Sequence, residues 1–449
     1  MSVFHEYDIR GSYPEEINEG FAYNLARALV VLTQKKNLMV GVDARAAGPS
    51  LRAAFIEGAK AQGADVTDAG LITTSQLIPL RAWHGHEAAA MITASHLPLQ
   101  FTGFKLIGAD GHHISAAHGL AELEKLMTKG EYPTPARKGI LRVASYLSDY
   151  AARIVRLCKP AVSVSFVADA SNGAVGPELK LYRSKYGMNL HILNDTPDGT
   201  NPAHSLNPLD PSALSQAREA IIATKSAGGC VFDGDADRIV FLDEKGKTIN
   251  TNHVACMIIQ RVLKSNPGAA IVYDLISSRV VHETIQANGG TPVRSPVGHS
   301  NIHDKMSESS AVFGAESSGH MMYRDTLNAE ATTLTMLMIM RILEEEGVSF
   351  SQHIRRYDVY ATLTEHNFKV DDADAAIDAF EKAFPDGTTD HLDGVFVQFA
   401  HGWLSLRKSN TEPLVRLRGE ALTQAELDFI FKRAEQVLLG VGARQVVRQ

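Results

Sequence analysis

One local order of elements occurs three times along the chain, and it limits the fold more than any other feature. Residues 38–43 read as a strand, 50–62 as a helix closed at Gly63, and 64–68 as a second strand. The order returns with a strand over 162–169, a helix over 176–186 closed at Gly187, and a strand over 188–194. It returns again with a strand over 270–274, a helix over 279–287 followed by Gly289 and Gly290, and a strand over 291–294. Strands alternating with helices at this spacing make α/β units with largely parallel sheets. A glycine just past each helix is the residue expected where the backbone turns left-handed. The tail breaks the rhythm: apolar residues alternate over 395–406 around a turn at His401-Gly402, alternate again over 414–418, and give way to a helix over 424–439. The expected fold is α/β, with three topologically similar domains of mixed, largely parallel sheets and a C-terminal α+β domain. These are expected over residues 1–149, 150–248, 249–358 and 359–449.

Between the second and third repeats lies Asp233-Gly234-Asp235-Ala236-Asp237-Arg238, followed by the apolar run Ile239, Val240, Phe241 and Leu242, which reads as a buried strand. If the segment is extended, alternate side chains share a face, so the three carboxylates converge on one point. Three such anions repel unless a cation joins them, and hard oxygen donors suit Mg²⁺ when phosphate or water completes an octahedron. An EF-hand calcium loop fits poorly. Glu244 does fall at position 12, but Arg238 stands at position 6 where glycine is required, and residues 228–232 read as turn and strand, not as an entering helix. A solvated acidic turn is the other possibility, because Asp and Gly are common turn formers.

Four further stretches carry candidate chemistry. Thr93-Ala94-Ser95-His96-Leu97-Pro98 follows an apolar strand, at the edge where ligands bind in open α/β sheets. It lacks the flanking glycines of a hydrolase nucleophile elbow. Ser95 is then either a turn former or, placed opposite a metal, a hydroxyl that carries a phosphoryl group. Lys105, in Gly103-Phe104-Lys105, is a solvated surface group or a phosphate ligand and proton carrier. Arg10, in Tyr7-Asp8-Ile9-Arg10-Gly11, is a surface ion-pair partner or a site residue. Arg407-Lys408-Ser409-Asn410-Thr411-Glu412-Pro413 joins two strands and gathers cations, hydroxyls and an amide into a possible anion cradle. The run Pro197-Asp198-Gly199-Thr200-Asn201-Pro202 is dense turn chemistry, read as structural. No Gly-x-x-x-x-Gly-Lys-[Ser/Thr] loop occurs, which removes that class of nucleotide-driven kinase.

A net charge of −7 over 449 residues gives nucleic acid no basic footprint, so any phosphate site must be local. No secretory signal is expected from the first residues. The longest apolar helical run, 332–343, is too short for a bilayer and contains Arg341. Cys158, Cys230 and Cys256 are few and far apart, which suggests reduced thiols in the cytoplasm, with neither disulfides nor a zinc site.

Taken in order from Tyr7 to Glu420, these motifs resemble the α-D-phosphohexomutases, and most closely the bacterial phosphomannomutase/phosphoglucomutase branch. The resemblance implies four domains around one central cleft. It implies that Ser95 is phosphorylated, with His96 beside it, and that Ser95, Asp233, Asp235 and Asp237 hold Mg²⁺. Glu316, Ser318 and His320, in Ala315-Glu316-Ser317-Ser318-Gly319-His320, would grip sugar hydroxyls. Arg407, Ser409, Asn410 and Thr411 would bind the unreactive phosphate, and Tyr7, Arg10, Lys105, Arg238 and His299 would line the cleft. The implied reaction interconverts hexose 1-phosphate and hexose 6-phosphate, of mannose or glucose, through a hexose 1,6-bisphosphate that also serves as activator. A monomer binding a small phosphosugar, with no membrane or nucleic-acid partner, is the expectation. Phosphoglucosamine mutase is the neighbouring possibility, against which Asn410 and Ser317 speak, and a phosphosugar-binding protein without turnover is the more distant one. Three departures stand out: Leu97 where the family has Asn, Ala315 where it has Gly, and Asn328-Ala329-Glu330 where it has an Asp-Gly pair.

Overall fold

The structure is a computed structural model that describes residues 3–409 and 414–446. Its first sheet runs Ile9–Ser12, Phe101–Ile107, Ala88–Ile92, Asn37–Val42, Asp65–Leu71, Leu141–Val143. The strands from Ala88–Ile92 onward pair in parallel, whereas Phe101–Ile107 is antiparallel to both neighbours. The second sheet, Ile239–Asp243, Gly228–Phe232, Phe166–Asp169, Leu190–Leu193, repeats the plan with one antiparallel edge. In the third, Thr291–Ser295, Ala270–Asp274 and Phe313–Ala315 are parallel, while Met321–Tyr323 and Ala329–Glu330 add an antiparallel edge. The fourth sheet pairs antiparallel throughout and packs against the helices Ala373–Lys382 and Gln424–Gly440. The architecture is the expected one, three mixed α/β domains followed by an α+β domain.

The helices Gly176–Tyr186 and Arg279–Ala287 span the residues expected, and Gly63, Gly187 and Gly289 turn left-handed at φ +87°, +68° and +71°. The strand expected over 162–169 is shorter, Phe166–Asp169, because Val162 lies exposed and Ser163 is drawn out to hydrogen-bond Glu344. Pairing begins only where Phe166 enters the core.

One apolar core runs through the first three domains, joining Met39, Ile72 and Met91 to Phe166, Phe232 and Phe241 and on to Ile271, Phe313 and Leu337. A buried polar stitch reinforces it. Glu178 accepts hydrogen bonds from Gln76 Nε2 at 2.8 Å, Tyr182 O–H at 2.6 Å and Thr333 Oγ1 at 2.8 Å, so each of the three domains contributes a partner. A carboxylate this deep needs such donors, since burial without them costs several kcal/mol. The fourth domain has its own core around Phe368, Phe380, Leu404 and Leu417, and meets the third through Leu275, Ile276, Phe396 and Trp403. The chain therefore reads as a fused three-domain body carrying a separately cored fourth. No helix among the described residues is long and apolar enough to cross a membrane, and all three cysteines are free and buried.

Candidate active site

The carboxylates of Asp233, Asp235 and Asp237 do converge, but not by strand alternation. Residues 233–238 form the tight hairpin turn between Gly228–Phe232 and Ile239–Asp243, with Ala236 at φ +55° and its N–H donating to Asp233 O at 3.1 Å. The extended reading was wrong because the chain must reverse here to pair its two flanking strands antiparallel. A solvated acidic turn is equally excluded, since the three residues are 0%, 0% and 1% exposed. Neighbouring domains close over the turn. Thr74 Oγ1 donates to Asp235 Oδ2 at 2.5 Å and Thr93 Oγ1 to the same atom at 3.1 Å, while Ser75 and Thr332 both donate to Ala236 O at 2.7 Å.

Ser95 lies three residues past the strand Ala88–Ile92 and is 2% exposed, with its Oγ donating to Asp233 Oδ2 at 2.7 Å. A hydroxyl has one proton, so His96 Nδ1, 3.2 Å from the same Oγ, must be the donor of that contact. Burial, then Arg238 and Arg10, push the His96 ring down to about 2, which keeps it neutral. Ser95 sits at φ +51°, a conformation uncommon outside glycine that must be enforced from outside. Arg45 enforces it. Its Nη2 donates to Ser95 O at 2.8 Å and Leu97 O at 2.6 Å, and its Nη1 to Pro98 O at 3.0 Å and Phe101 O at 2.9 Å. Asp43 anchors Arg45 in turn, through the Arg45 N–H at 2.9 Å and the guanidinium at 3.4 Å. The turn around Gly199 backs this latch so closely that a side chain there would stand 2.0 Å from Ala44 O.

Neither sequence pattern nor spacing singled out Arg45, which stands in a bland Ala-Arg-Ala context. Arg45→Ala would strip the guanidinium from a buried carboxylate and from four carbonyls. It is expected to lower stability by about 3 to 5 kcal/mol in a denaturant melt, against the near-neutral effect of removing an exposed arginine. A loss below ~1 kcal/mol would show that the latch is dispensable.

Lys105 is not the solvated alternative. On the strand Phe101–Ile107 it is 2% exposed, donates to Asp235 Oδ2 at 2.9 Å and makes a very short contact with Asp237 Oδ2. Burial alone would lower it, yet Asp235 and Asp237 outweigh burial and hold it up, fully charged. His320 stands on the other side, its Nε2 3.4 Å from Asp237 Oδ1 and its Nδ1 2.6 Å from Glu316 Oε2 and 2.9 Å from Ser318 Oγ. Against the burial penalty, Asp237 and Glu316 raise it to about 10. As an imidazolium its Nε2 carries a proton and cannot accept, so the 3.3 Å approach of Arg238 Nε to it is a contact between two cations. Asp274, at the end of Ala270–Asp274, fixes the loop by accepting from Ser317 N at 2.9 Å and Oγ at 2.7 Å. Ala315 takes no positive φ, so its replacement of glycine costs nothing in backbone strain. Glu330, in the stretch that departs from the family pattern, is buried with Oε1 unpartnered. Burial pushes it up to about 7, with His320 opposing and Asp237 adding to the shift.

Arg10 projects from Ile9–Ser12 and is paired to Asp8 at 2.6 Å. Tyr7 O–H donates to Val297 O at 3.0 Å and packs beside His299, ring centroids 5.8 Å apart. Gly298 permits that approach, since it sits at φ +127° and a Cβ there would meet the Tyr7 ring at 2.7 Å. His299 opens the helix His299–Ser309 with Nε2 buried and unpartnered, its ring 5.4 Å from His320. Burial, then His320 and Lys105, hold it well below the usual histidine range. In the fourth domain Arg407, Arg416 and Arg418 surround Glu365 at 4.0, 3.6 and 3.5 Å, and Arg416 Nη2 donates to Ser409 Oγ at 3.2 Å. Asn410 and Thr411 lie outside the described residues.

Comparison with known proteins follows this geometry closely. Descriptions of the phosphoglucomutase/phosphomannomutase α/β/α domains I, II and III match residues 1–134, 144–246 and 250–360, and that of the C-terminal domain matches 365–437. A phosphomannomutase of Methanocaldococcus jannaschii is 32% identical over 425 residues, 94% of each chain. One of Salmonella montevideo is 30% identical over 450 residues, 98% of each. The chain belongs to the phosphoglucomutase/phosphomannomutase family. It is accordingly a mutase enzyme. The solved structure of a phosphoglucomutase/phosphomannomutase family protein from Burkholderia thailandensis superposes with a TM-score of 0.90 at 27% identity, covering 99% of this chain and 98% of that one.

For a mutase of this family the Asp loop passes a simple test as a cation site. One carboxylate oxygen from each of the three residues falls within 4.8 Å of the others, and Asp235 Oδ1 and Asp237 Oδ1 are buried without a hydrogen-bond partner. All the donors are oxygen, the preference of a hard divalent ion. The mutase thus gathers Ser95, His96, Lys105, Arg238, Glu316 and His320 around one acidic turn. Arg10, Tyr7 and His299 flank it.

Proposed function

We propose that the enzyme interconverts hexose 1-phosphate and hexose 6-phosphate, of mannose or glucose, by way of phospho-Ser95 and a hexose 1,6-bisphosphate. The observation that carries this reading is the Ser95 hydroxyl, buried and 2.7 Å from a carboxylate of the acidic turn, with Lys105 bridging the other two carboxylates. In the forward step the bond between phosphorus and Ser95 Oγ breaks, a bond forms to O1 or O6 of the sugar, and the sugar hydroxyl proton passes to a base. The bisphosphate then turns over, and its other phosphoryl group returns to Ser95 Oγ. Mg²⁺ held by Asp233, Asp235 and Asp237, with phospho-Ser95, would neutralise charge on the transferring oxygens.

The remaining groups are this chain's own. Lys105, Arg238 and Arg10 supply fixed positive charge where charge develops in transfer, which needs no reorganisation at the moment of reaction. His299 is the proton carrier we favour, because its Nε2 is buried without a partner and its ring lies 5.4 Å from that of His320. Glu316, Ser318 and His320 would hold sugar hydroxyls, and Arg407 with Ser409 the unreacting phosphate. A grip on hydroxyls common to mannose and glucose would admit both sugars. Binding the distal phosphate in both orientations makes each transfer effectively intramolecular.

The test is conversion of mannose, glucose and glucosamine 1-phosphates to their 6-phosphates with Mg²⁺ and a catalytic amount of hexose 1,6-bisphosphate. Conversion of mannose or glucose phosphate that stalls without the bisphosphate is the expected result. Preference for the glucosamine substrate would move the enzyme to the neighbouring specificity. Failure with all three by folded protein would leave a phosphosugar-binding role.

A further inference from the structure

Away from the acidic turn, a second group of ligating side chains crosses the boundary between the first and third domains. His112 and His118 follow the strand Phe101–Ile107, and His303 and Asp304 lie on the helix His299–Ser309. Asp304 Oδ1 is 2.6 Å from His112 Nδ1, and its Oδ2 is 2.8 Å from His118 Nε2. One ligand atom from each of His112, His303 and Asp304 falls within 4.8 Å of the other two. The simple alternative is a His-Asp latch between domains. That alternative accounts for His112, His118 and Asp304, but not for His303.

His303 is 4% exposed, and its Nδ1 lies 3.0 Å from Asn328 O. A carbonyl only accepts, so the proton sits on Nδ1 and Nε2 presents a lone pair. This is the arrangement that metal-ligating histidines adopt, the outer N–H being fixed by a backbone carbonyl or a carboxylate. His112 Nδ1 and Asp304 Oδ1 already face each other at 2.6 Å, the contact an ion would replace, while His118 Nε2 steadies the other carboxylate oxygen at 2.8 Å. Beside these groups His113 is buried with both ring nitrogens unpartnered, its ring 5.6 Å from His303 and 5.1 Å from His299. His112, His118 and Asp304 keep side-chain exposures of 26%, 33% and 21%, which leaves an ion a path from solvent.

We propose that His112, His303 and Asp304 form a second cation site, oriented by His118, that takes a divalent transition ion of the Zn²⁺ class and ties the third domain to the first. The donor sets sort the two sites. Imidazole nitrogens suit Zn²⁺, Co²⁺ or Ni²⁺, whereas the all-oxygen turn at Asp233, Asp235 and Asp237 suits Mg²⁺. An ion on His303 and Asp304 also sits one helical turn from His299, so it would pin the segment that carries His299 into the candidate active site.

The experiment titrates the metal-stripped full-length enzyme, in excess Mg²⁺, with Zn²⁺ by calorimetry and with Co²⁺ by visible absorption. The native chain should bind one equivalent more than His112→Gln or His303→Gln, with proton release and a Co²⁺ band more intense than an all-oxygen octahedral site gives. His118→Gln, at a position one-third exposed, should weaken binding roughly 10- to 100-fold without changing the stoichiometry. Circular dichroism confirms that each variant is folded. Equal stoichiometry and affinity in the native chain and the histidine variants would place the ion elsewhere and overturn the proposal, as would no binding at all.

Discussion

Ser95→Ala is expected to lower turnover by at least ~10⁴-fold while leaving the protein folded and able to bind hexose phosphate within a few-fold of the native affinity. The change removes one oxygen and little else. The backbone at φ +51° stays held by Arg45 through Ser95 O, and by Thr93 Oγ1, which accepts from the Ser95 N–H at 2.8 Å. Alanine and serine pay a similar penalty in that conformation, so the loop keeps its shape. Asp233 loses a donor, but it also accepts from the Arg238 N–H at 3.1 Å, and a bound cation would take up the freed oxygen. The cluster of Arg407, Arg416 and Ser409 in the fourth domain is untouched. The variant should therefore separate chemistry from binding. Incubation with labelled hexose 1,6-bisphosphate should mark the native chain covalently and leave the variant unmarked. Residual turnover near one hundredth of native, or label retained by the variant, would move the phosphoryl acceptor to another residue.

Most of this site was legible in the chain because its parts are local motifs at the ends of strands. The repeats at 38–68, 162–194 and 270–294 carry their own periodicity and glycine stops, so the α/β units could be read one at a time. The acidic turn was legible in composition and misread in shape. Asp-Gly-Asp-Ala-Asp is compatible with either an extended run or a reversal, and only the antiparallel pairing of Gly228–Phe232 with Ile239–Asp243 decides between them. Arg45 stayed hidden for a different reason. Its value comes from carbonyls fifty or more residues away in the chain, which no local pattern records. Glu330 was noticed only as a departure from a family pattern, and its placement near Lys105, Asp237 and His320 depends on the edge strand Ala329–Glu330. The histidines at 112 and 118 come within reach of Asp304 only through docking of two domains.

Removing divalent metal should reduce turnover by ~10³-fold or more, and Mg²⁺ should restore it in the native chain but not in Asp237→Asn. The reasoning begins with charge. Asp233, Asp235 and Asp237 are out of water, and among the described residues Lys105 is the one cation that bridges two of them. Burial and the other two carboxylates raise Asp233 well above its ordinary range, whereas Lys105 and His320 overcome burial to hold Asp237 well below. Without a cation the acidic turn thus pulls its carboxylates in opposite directions. Two buried oxygens, Asp235 Oδ1 and Asp237 Oδ1, also remain without a hydrogen-bond partner. A divalent ion relieves both problems together, so it should bind the folded state and not the unfolded chain. That adds a readout independent of catalysis, since Mg²⁺ at a hundredfold excess over its dissociation constant should stabilise the native chain by roughly 2.7 kcal/mol. Asp237→Asn removes one charge from the cluster and leaves Lys105 less restrained, so its melting temperature should respond weakly to Mg²⁺. If the native enzyme turns over at full rate after exhaustive chelation, Lys105, Arg238 and His320 must supply the charge stabilisation by themselves. The acidic turn would then serve to hold those cations in place.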